Sequence, residues 1–482
     1  MISYIYIIIL LIETIHASTY LLPLSKCPRE DSLRKCLDQY IKGTLNYRDD
    51  FLVYSADLEV EYNQRIIHFP VAFIHPIDVL DVQNAIKCGI ELDYPIVARS
   101  GGHSYEGYGI GDKDCYLVVD LVNFNKTTIN VTSQTAIIET GNKLNSLYYS
   151  VNQYGFASPG GVCPFIGVGG LITGGGVGFL NRKFGFSSDN ILDAQIVLAN
   201  GTVVNNAKKY PELLWAIRGA GNAGYGIITT LTLRIYPIPK VVTSLTFIYD
   251  WDQIPLLISV MNQFGNNFHQ NLTLLISIVK FKTYIDGIYL GSADELQPHV
   301  QEFIKLTKPK SVSYSENDLY NLLTRSSESF NETGSFKVKS FFINSDGLSG
   351  KGVQHLMKFI ESFECEFRIE IILLGGGRVN EIMRNETAFV HRGFMNHMVI
   401  KAVEPSEMCL QNLEFFSHYF QQKYTNYESY QNLIDRQLDN WQCRYYRENF
   451  EKLVEIKRKY DPYNVFHWNQ SIPINTEISC FQ

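Results

Sequence analysis

Nine glycines fall between positions 160 and 178, inside the run SPGGVCPFIGVGGLITGGGVGFLNRKFG from Ser158 to Gly185. Backbone without side chains can approach a ligand closely, and its bare N–H groups form concavities that hold anions. The stretch therefore reads as a loop wrapped around a phosphate-bearing ligand, with a tight crossover between layers as the structural alternative. No Gly-Lys-Ser/Thr follows, so the Walker pattern is excluded. A formal G-x-G-x-x-G occurs at Gly219, Gly221 and Gly224, but it follows the helix-like PELLWAIR and leads into a strand. That is the reverse of the strand-to-helix order of a dinucleotide fold, and the Rossmann reading is discarded.

About sixty residues upstream, RSGGHSYEGYG (Arg99 to Gly109) sets His103 among glycines directly after the buried-strand run PIVA. His103 alone reads as a satisfied polar residue, and Cys163 alone as a small buried hydrophobe or a disulfide partner. Each sits in a glycine loop, however, and together they point to one large cofactor fixed at two places.

The chain has 482 residues, enough for two or three domains with filled cores. Its net charge of -7 and the lack of a basic run interleaved with aromatics argue against nucleic acid and for a small-molecule substrate. The N-terminus, MISYIYIIILLIETIHASTY, is apolar from Ile2 to Ile12 and offers a small-residue site near Ala17, the layout of a secretory signal peptide over 1–17. Glu13 leaves it too short to span a bilayer. Sequons begin at Asn125, Asn130, Asn200, Asn271, Asn331, Asn385 and Asn469, and a lumenal route would make several of them glycosylation sites. Nine cysteines, an odd number, leave one over in an oxidising compartment.

Along the chain, IIHFPVAF, then a helix carrying Val79, Val82, Ile86 and Ile90, then PIVA read as strand, helix, strand. YLVVDL, TAIIET, the helix-like NKLNSLYYSVNQYG and a strand pair around Asn200-Gly201 continue the α/β texture. Pro237 and Pro239 mark a domain boundary near 240. Beyond it VTSLTFIYD and LTLLISIVKF alternate, and amphipathic helices such as HVQEFIKLT intervene, which suits an antiparallel sheet with helices on one face. YYRENFEKLVEIKRKYDP reads as a helix with Phe450, Leu453 and Val454 on its buried face.

Four stretches in order, RSGGHSYEG, GGVCPFIGVGGLITGGGVG, RGAGNAGYGIIT and YYRENFEKLVEIKRKYDPYNVFHWNQSIP, resemble the berberine bridge enzyme-like oxidases of the vanillyl-alcohol oxidase flavoprotein superfamily. The resemblance covers nearly the whole mature chain. It implies an α+β fold: a PCMH-type FAD-binding domain of two α/β subdomains over 18–240 (core about 66–239), a substrate domain over 241–440, and a segment over 441–482 returning to the first domain. It implies FAD held by two covalent bonds, from His103 to the flavin 8α carbon and from Cys163 to C6. Two tethers fix the ring, raise its redox potential and leave an open site for bulky substrates. With Cys163 so used, eight cysteines remain, and the family pattern pairs Cys36 with Cys88.

The resemblance further assigns to the cofactor site Arg99, Ser100, Gly101, Gly102, Ser104, Gly107, Ile166, Gly167, Gly169, Gly170, Gly174, Gly175, Gly226, Ile228 and Asn464. Tyr445 matches a tyrosine that deprotonates the substrate hydroxyl, with Tyr105 aiding it; Asn464 and Gln470 lie in the returning segment. No metal is expected. The chain departs from the family pattern in three places. The polar group several residues past the His-Arg pair falls among Asn396, His397 and Met398, Val177 replaces an aromatic residue, and Ile166 stands where oxidases carry Val and dehydrogenases Leu. The expected activity is a secreted FAD oxidase acting on a sugar, oligosaccharide or small alcohol, with dioxygen as acceptor. The alternatives are a dehydrogenase with the same flavin, an oxidative ring-closing enzyme, and a non-enzymatic secreted glycoprotein.

Overall fold

The computed structural model describes residues 25–325 and 333–480. The expected signal segment and the Asn331 sequon lie outside them. The chain has the α+β fold, with three main sheets arranged around one cavity.

The first sheet holds β1 (Thr44–Tyr47), β2 (Ala72–His75), β3 (Ile96–Arg99) and β4 (Leu117–Asp120) in the order β1-β2-β4-β3. β2, β4 and β3 run parallel and β1 antiparallel to them. The helix Val79–Glu91 joins β2 to β3, its start capped by Asp78, whose carboxylate accepts the Asp81 N–H. Its buried face is Val82, Ala85, Ile86 and Gly89, while Ile90 is exposed. The strand expected from IIHFPVAF begins only at Ala72, because Pro70 has no N–H to give a ladder.

The second sheet is antiparallel: β5 (Thr127–Asn130), β6 (Thr135–Glu139), β8 (Ile191–Val197), β9 (Val203–Val204) and β10 (Ile227–Arg234), in the order β5-β6-β10-β8-β9. Asn200-Gly201 turns β8 into β9, with Gly201 at φ 78. A two-residue pair, β7 (Phe156–Ala157) with β11 (Tyr236–Pro237), closes its margin.

The third sheet has seven antiparallel strands: β12 (Val242–Tyr249), β13 (Leu272–Val279), β14 (Lys282–Tyr289), β15 (Ser311–Asn317), β16 (Phe336–Asn344), β17 (Glu366–Leu373) and β18 (Phe394–Val403). Their order across the sheet is β15-β12-β14-β13-β17-β18-β16. Period-two alternation gives this sheet two different faces. Leu274, Ile276, Phe367, Ile369, Ile371, Met398 and Ile400 pack under the helices Ile254–Phe264, Ala293–Thr307, Gly350–Ser362 and Glu407–Tyr424. Their neighbours Leu275, Glu370, Ile372, His397 and Val399 face the cavity.

The last helix, Phe450–Tyr460, returns to the second sheet's core through Phe450, Leu453 and Val454. Its Lys457 is fully buried and donates to Asp461, Gly224 O and Phe466 O, so its charge is paired where water cannot reach. Disulfides join Cys27 to Cys115, Cys36 to Cys88, Cys365 to Cys409 and Cys443 to Cys480. Cys163 is free and buried.

Candidate active site

The two glycine loops meet backbone to backbone. A Cβ on Gly101 would stand 2.5 Å from the Gly167 nitrogen, and one on Gly167 would stand 2.3 Å from the Gly101 nitrogen. Any side chain at either position would drive the loops apart. The Gly169 N–H donates to Ser100 Oγ at 3.2 Å, and the Ser100 hydroxyl is given to Thr140 O, which ties both loops to the second sheet.

Between the loops and the third sheet lies a cavity of about 320 Å³. Arg99 through Tyr105, Ile166, Gly167, Gly169, Gly170, Gly226 and Ile228 line it, as do Gly221, Gly224 and Val177. A Cβ on Gly170 would meet nothing within 4 Å, so this glycine faces open space that a ligand can fill. The chain 430–434, Phe466 and Trp468 close the remaining side. Gly107, Gly174, Gly175 and Asn464 do not line the cavity. Gly107, at φ 70, shapes the end of the His103 loop. A Cβ on Gly174 would reach 1.9 Å from Asn432 Oδ1, and one on Gly175 2.5 Å from the Phe389 ring, so these two make room for packing. Asn464, at φ 53, forms the turn before Phe466.

His103 and Cys163 come together: Nε2 lies 3.8 Å from Sγ. Burial pushes the His103 pKa down to about 3, leaving a neutral imidazole. Burial raises the Cys163 thiol, and the Phe165 and Ile166 amides pull it back toward thiolate. Tyr62, a residue no motif singled out, stacks on His103 with ring centroids 3.8 Å apart and planes 13° apart. Tyr105 sits 5.7 Å from the His103 ring and edge-on to Phe336, its phenol driven well above its ordinary range by burial.

The structure departs from the sequence reading at Tyr445. This residue is 1% exposed, does not line the cavity, and uses its hydroxyl oxygen to accept the Asp435 N–H at 3.0 Å. The short helix Trp441–Tyr446 turns it inward, behind the segment that does reach the cavity. The tyrosine on that segment is Tyr430. Its oxygen accepts the Gly176 N–H at 2.8 Å and the Asn432 amide at 2.7 Å, which leaves its own hydrogen free to point elsewhere. Burial raises this phenol while the two donors favour the charged form.

Among Asn396, His397 and Met398, only His397 lines the cavity; Met398 faces the helices. His397 is 3% exposed with no partner for Nε2, and burial lowers its pKa to about 3. Glu370 faces the same space, its carboxyl raised by burial against the pull of Lys401 and Arg368. The His-Arg pair itself is structural: His391 Nδ1 meets Glu428 Oε2 at 2.6 Å, and Arg392 meets Asp189 at 2.6 Å. Tyr62, Glu370 and Tyr430 were not legible as site residues. For Glu370 the usable signal was alternation within EFRIEIIL; Tyr430 lies in irregular chain with no period.

The FAD binding domain family model matches residues 70–206, and the berberine and berberine-like model matches 429–473. The chain is 29% identical to berberine bridge enzyme-like 27 of Arabidopsis thaliana, over 84% of each chain. Physcomitrella patens BBE-like 1 superposes with a TM-score of 0.86 at 31% identity, covering 92% of this chain and all of that one. A chitooligosaccharide oxidase superposes with a TM-score of 0.85 at 25% identity, covering 92% of this chain and all of its own. A glycine-lined cavity shared by two such matched segments is a flavin site, and the chain belongs to the berberine bridge enzyme-like family of FAD-linked oxidoreductases.

Proposed function

We propose that this oxidoreductase is a secreted oxidase whose FAD is bonded to both His103 and Cys163 and whose substrate is a hydroxyl-bearing small molecule, a sugar, oligosaccharide or small alcohol. One observation carries the reading: the one unpaired cysteine, buried, lies 3.8 Å from the one histidine of the glycine loops, which lines the cavity. Gly167, Gly169, Gly170, Gly224 and Gly226 would hold the pyrophosphate, and His103 with Cys163 the benzenoid edge of the ring. The disulfides accord with an oxidising compartment. The division at 18–240, 241–440 and 441–482 is part of the same proposal.

The bound flavin supplies the two-electron acceptor, and dioxygen the final one. The chain's residues supply position and proton transfer. Tyr105 lines the cavity and offers an aromatic wall against which a sugar or aryl ring can lie, with Tyr62 and Phe336 packed behind it. Glu370 and His397 offer polar contacts on the sheet side. Tyr430, rather than Tyr445, is assigned the substrate's hydroxyl proton: it would act as the phenolate, whose charge the Gly176 and Asn432 donors would hold until the transferred proton neutralises it. The chitooligosaccharide oxidase acts on chains of sugars, and its likeness favours a sugar here.

The test is acid precipitation of the secreted protein, mass mapping of flavin-bearing peptides, and oxygen consumption with a panel of aldoses, oligosaccharides and alcohols. Flavin joining the His103 and Cys163 peptides, with peroxide formed on one of these substrates, is the expected result. A colourless pellet from folded protein refutes the covalent reading, and flavin that stays reduced in air refutes the oxidase.

A further inference from the structure

Beside the two attachment residues stands a side chain with no role in any motif. Tyr62 covers one face of the His103 imidazole at 3.8 Å, near van der Waals contact, with the rings almost parallel. Such a stack leaves an imidazole free to slide in one plane and blocks its rotation out of it. The tyrosine is in turn held from every other side. Its N–H donates to Gly102 O at 2.8 Å, and its O accepts the Gly334 N–H at 3.2 Å. Phe336 packs on it at 5.2 Å, and the Lys401 ammonium stands 5.4 Å from its ring centre and 4.0 Å over Phe336. The next residue, Asn63, donates to both Tyr105 O, at 2.6 Å, and Phe336 O, at 3.0 Å. Gly102 is required for this fit: it lies at φ +65, and a Cβ there would come within 2.8 Å of Val60 O.

We propose that Tyr62 is a positioning residue for covalent attachment, holding the His103 ring in the plane from which its nitrogen reaches the flavin methyl carbon. The inference rests on the bicovalent reading and adds to it. In the step, the imidazole N–H gives up its proton, the methyl group loses one hydrogen, and a C–N bond forms between them. The two electrons released are taken by the flavin and passed to dioxygen, which leaves as hydrogen peroxide. Overall, N–H plus C–H plus dioxygen gives N–C plus hydrogen peroxide. Tyr62 takes no part in the electron balance. Its contribution is orientation, the kind of effect in which a displacement of about 1 Å can cost roughly 100-fold in rate.

The Cys163 bond in the same molecule is the internal control. In the full chain carrying Tyr62→Leu, peptide mapping should find flavin still on Cys163, with the ratio of His103-linked to Cys163-linked flavin lower by about tenfold or more. Tyr62→Phe, which keeps the ring, should restore the native ratio. Tyr62→Met fills the volume without a flat face and replaces the leucine variant if that one is not secreted. Both links at native stoichiometry in the Leu and Met variants would overturn the proposal, and so would loss of both in proportion, which marks a merely structural role. Absence of either link from the unmutated protein would instead bring down the bicovalent reading beneath it.

Discussion

Glu61 is a carboxyl group buried without a hydrogen-bond donor. Its side chain is 3% exposed, both oxygens lack donors, and the nearest cation, Arg99 Nη1, is 3.6 Å away. Arg99 is already engaged by Asp120 at 2.5 Å and by Asp57 at 3.4 Å. Burial therefore prevails over the attraction of Arg99, Asp120 adds repulsion, and the pKa rises from 4.5 to about 7. At 1.36 kcal/mol for each tenfold change in proton affinity, the rise corresponds to about 3 kcal/mol. Below pH 4.5 both folded and unfolded chains hold the proton, and Glu61 causes no pH dependence. Between pH 4.5 and 7 the folded chain retains a proton that the unfolded chain releases, so stability falls as pH rises, levelling off above pH 7. Glu61→Gln mimics the protonated group and removes this contribution. At about 2 cal/mol/K of unfolding entropy per residue, 3 kcal/mol is roughly 3 °C in a chain of this length. Melting both proteins at one scan rate from pH 4.5 to 8 should give equal Tm at the acid end and a lead of about 3 °C for the variant at pH 8. Other titrating groups cancel in the difference. Parallel curves would refute the assignment of a neutral acid at this position, and with it the account of how the Arg99 cluster is balanced.

Three further outcomes follow from the geometry. Tyr430→Phe should slow flavin reduction by roughly 10²- to 10⁴-fold, whereas Tyr445→Phe should leave that rate near native and lower stability by about 1–3 kcal/mol through the orphaned Asp435 N–H; stopped-flow reduction and melting separate the two. Arg182, fully buried, donates to the carbonyls of Phe268, His269, Leu272 and Gly375 with no carboxylate near, so Arg182→Met should cost roughly 3 kcal/mol or more. Arg182→Lys should not recover it, because one ammonium cannot serve four acceptors. Asn271 gives its amide to Leu290 O at 3.0 Å, while Asn125, Asn130, Asn200, Asn385 and Asn469 are exposed; glycopeptide mapping should find glycans among the five and none on Asn271.

The parts of the site legible in the sequence were those where one residue type is forced. His103 and Cys163 stand out because their surroundings are glycine, and the helix at 450–460 because Phe450, Leu453 and Val454 keep its period. Alternation in LTLLISIVKF marked β13 correctly, since one face of that sheet packs on helices. Tyr445 and Tyr430 show where such reasoning stops. The sequence around Tyr445 is helical and apolar, which attracts notice for the same reason that it buries the residue. Tyr430 lies on a segment pinned at Asp435, whose N–H Tyr445 accepts and whose carboxylate Lys337 and Lys339 hold, the two lysine contacts spanning about 100 residues of chain. No local pattern encodes them.

The glycines teach the same distinction within a single motif. Read from sequence, they served close approach of a ligand or a tight crossover between layers. In the fold, Gly101 and Gly167 are glycine because the two loops touch there, Gly174 and Gly175 because Asn432 and Phe389 press against them, and only Gly170 opens on empty space. Alanine at Gly101 or Gly167 must separate the loops, and with them His103 from Cys163. Alanine at Gly170 meets no protein atom outside its own helix within 4 Å, so apart from the small gain of alanine over glycine in that helix it acts on what occupies the cavity. The two kinds of substitution therefore separate loss of the scaffold from loss of the ligand: the first lowers Tm with or without cofactor, the second lowers only the share of stability that bound flavin adds.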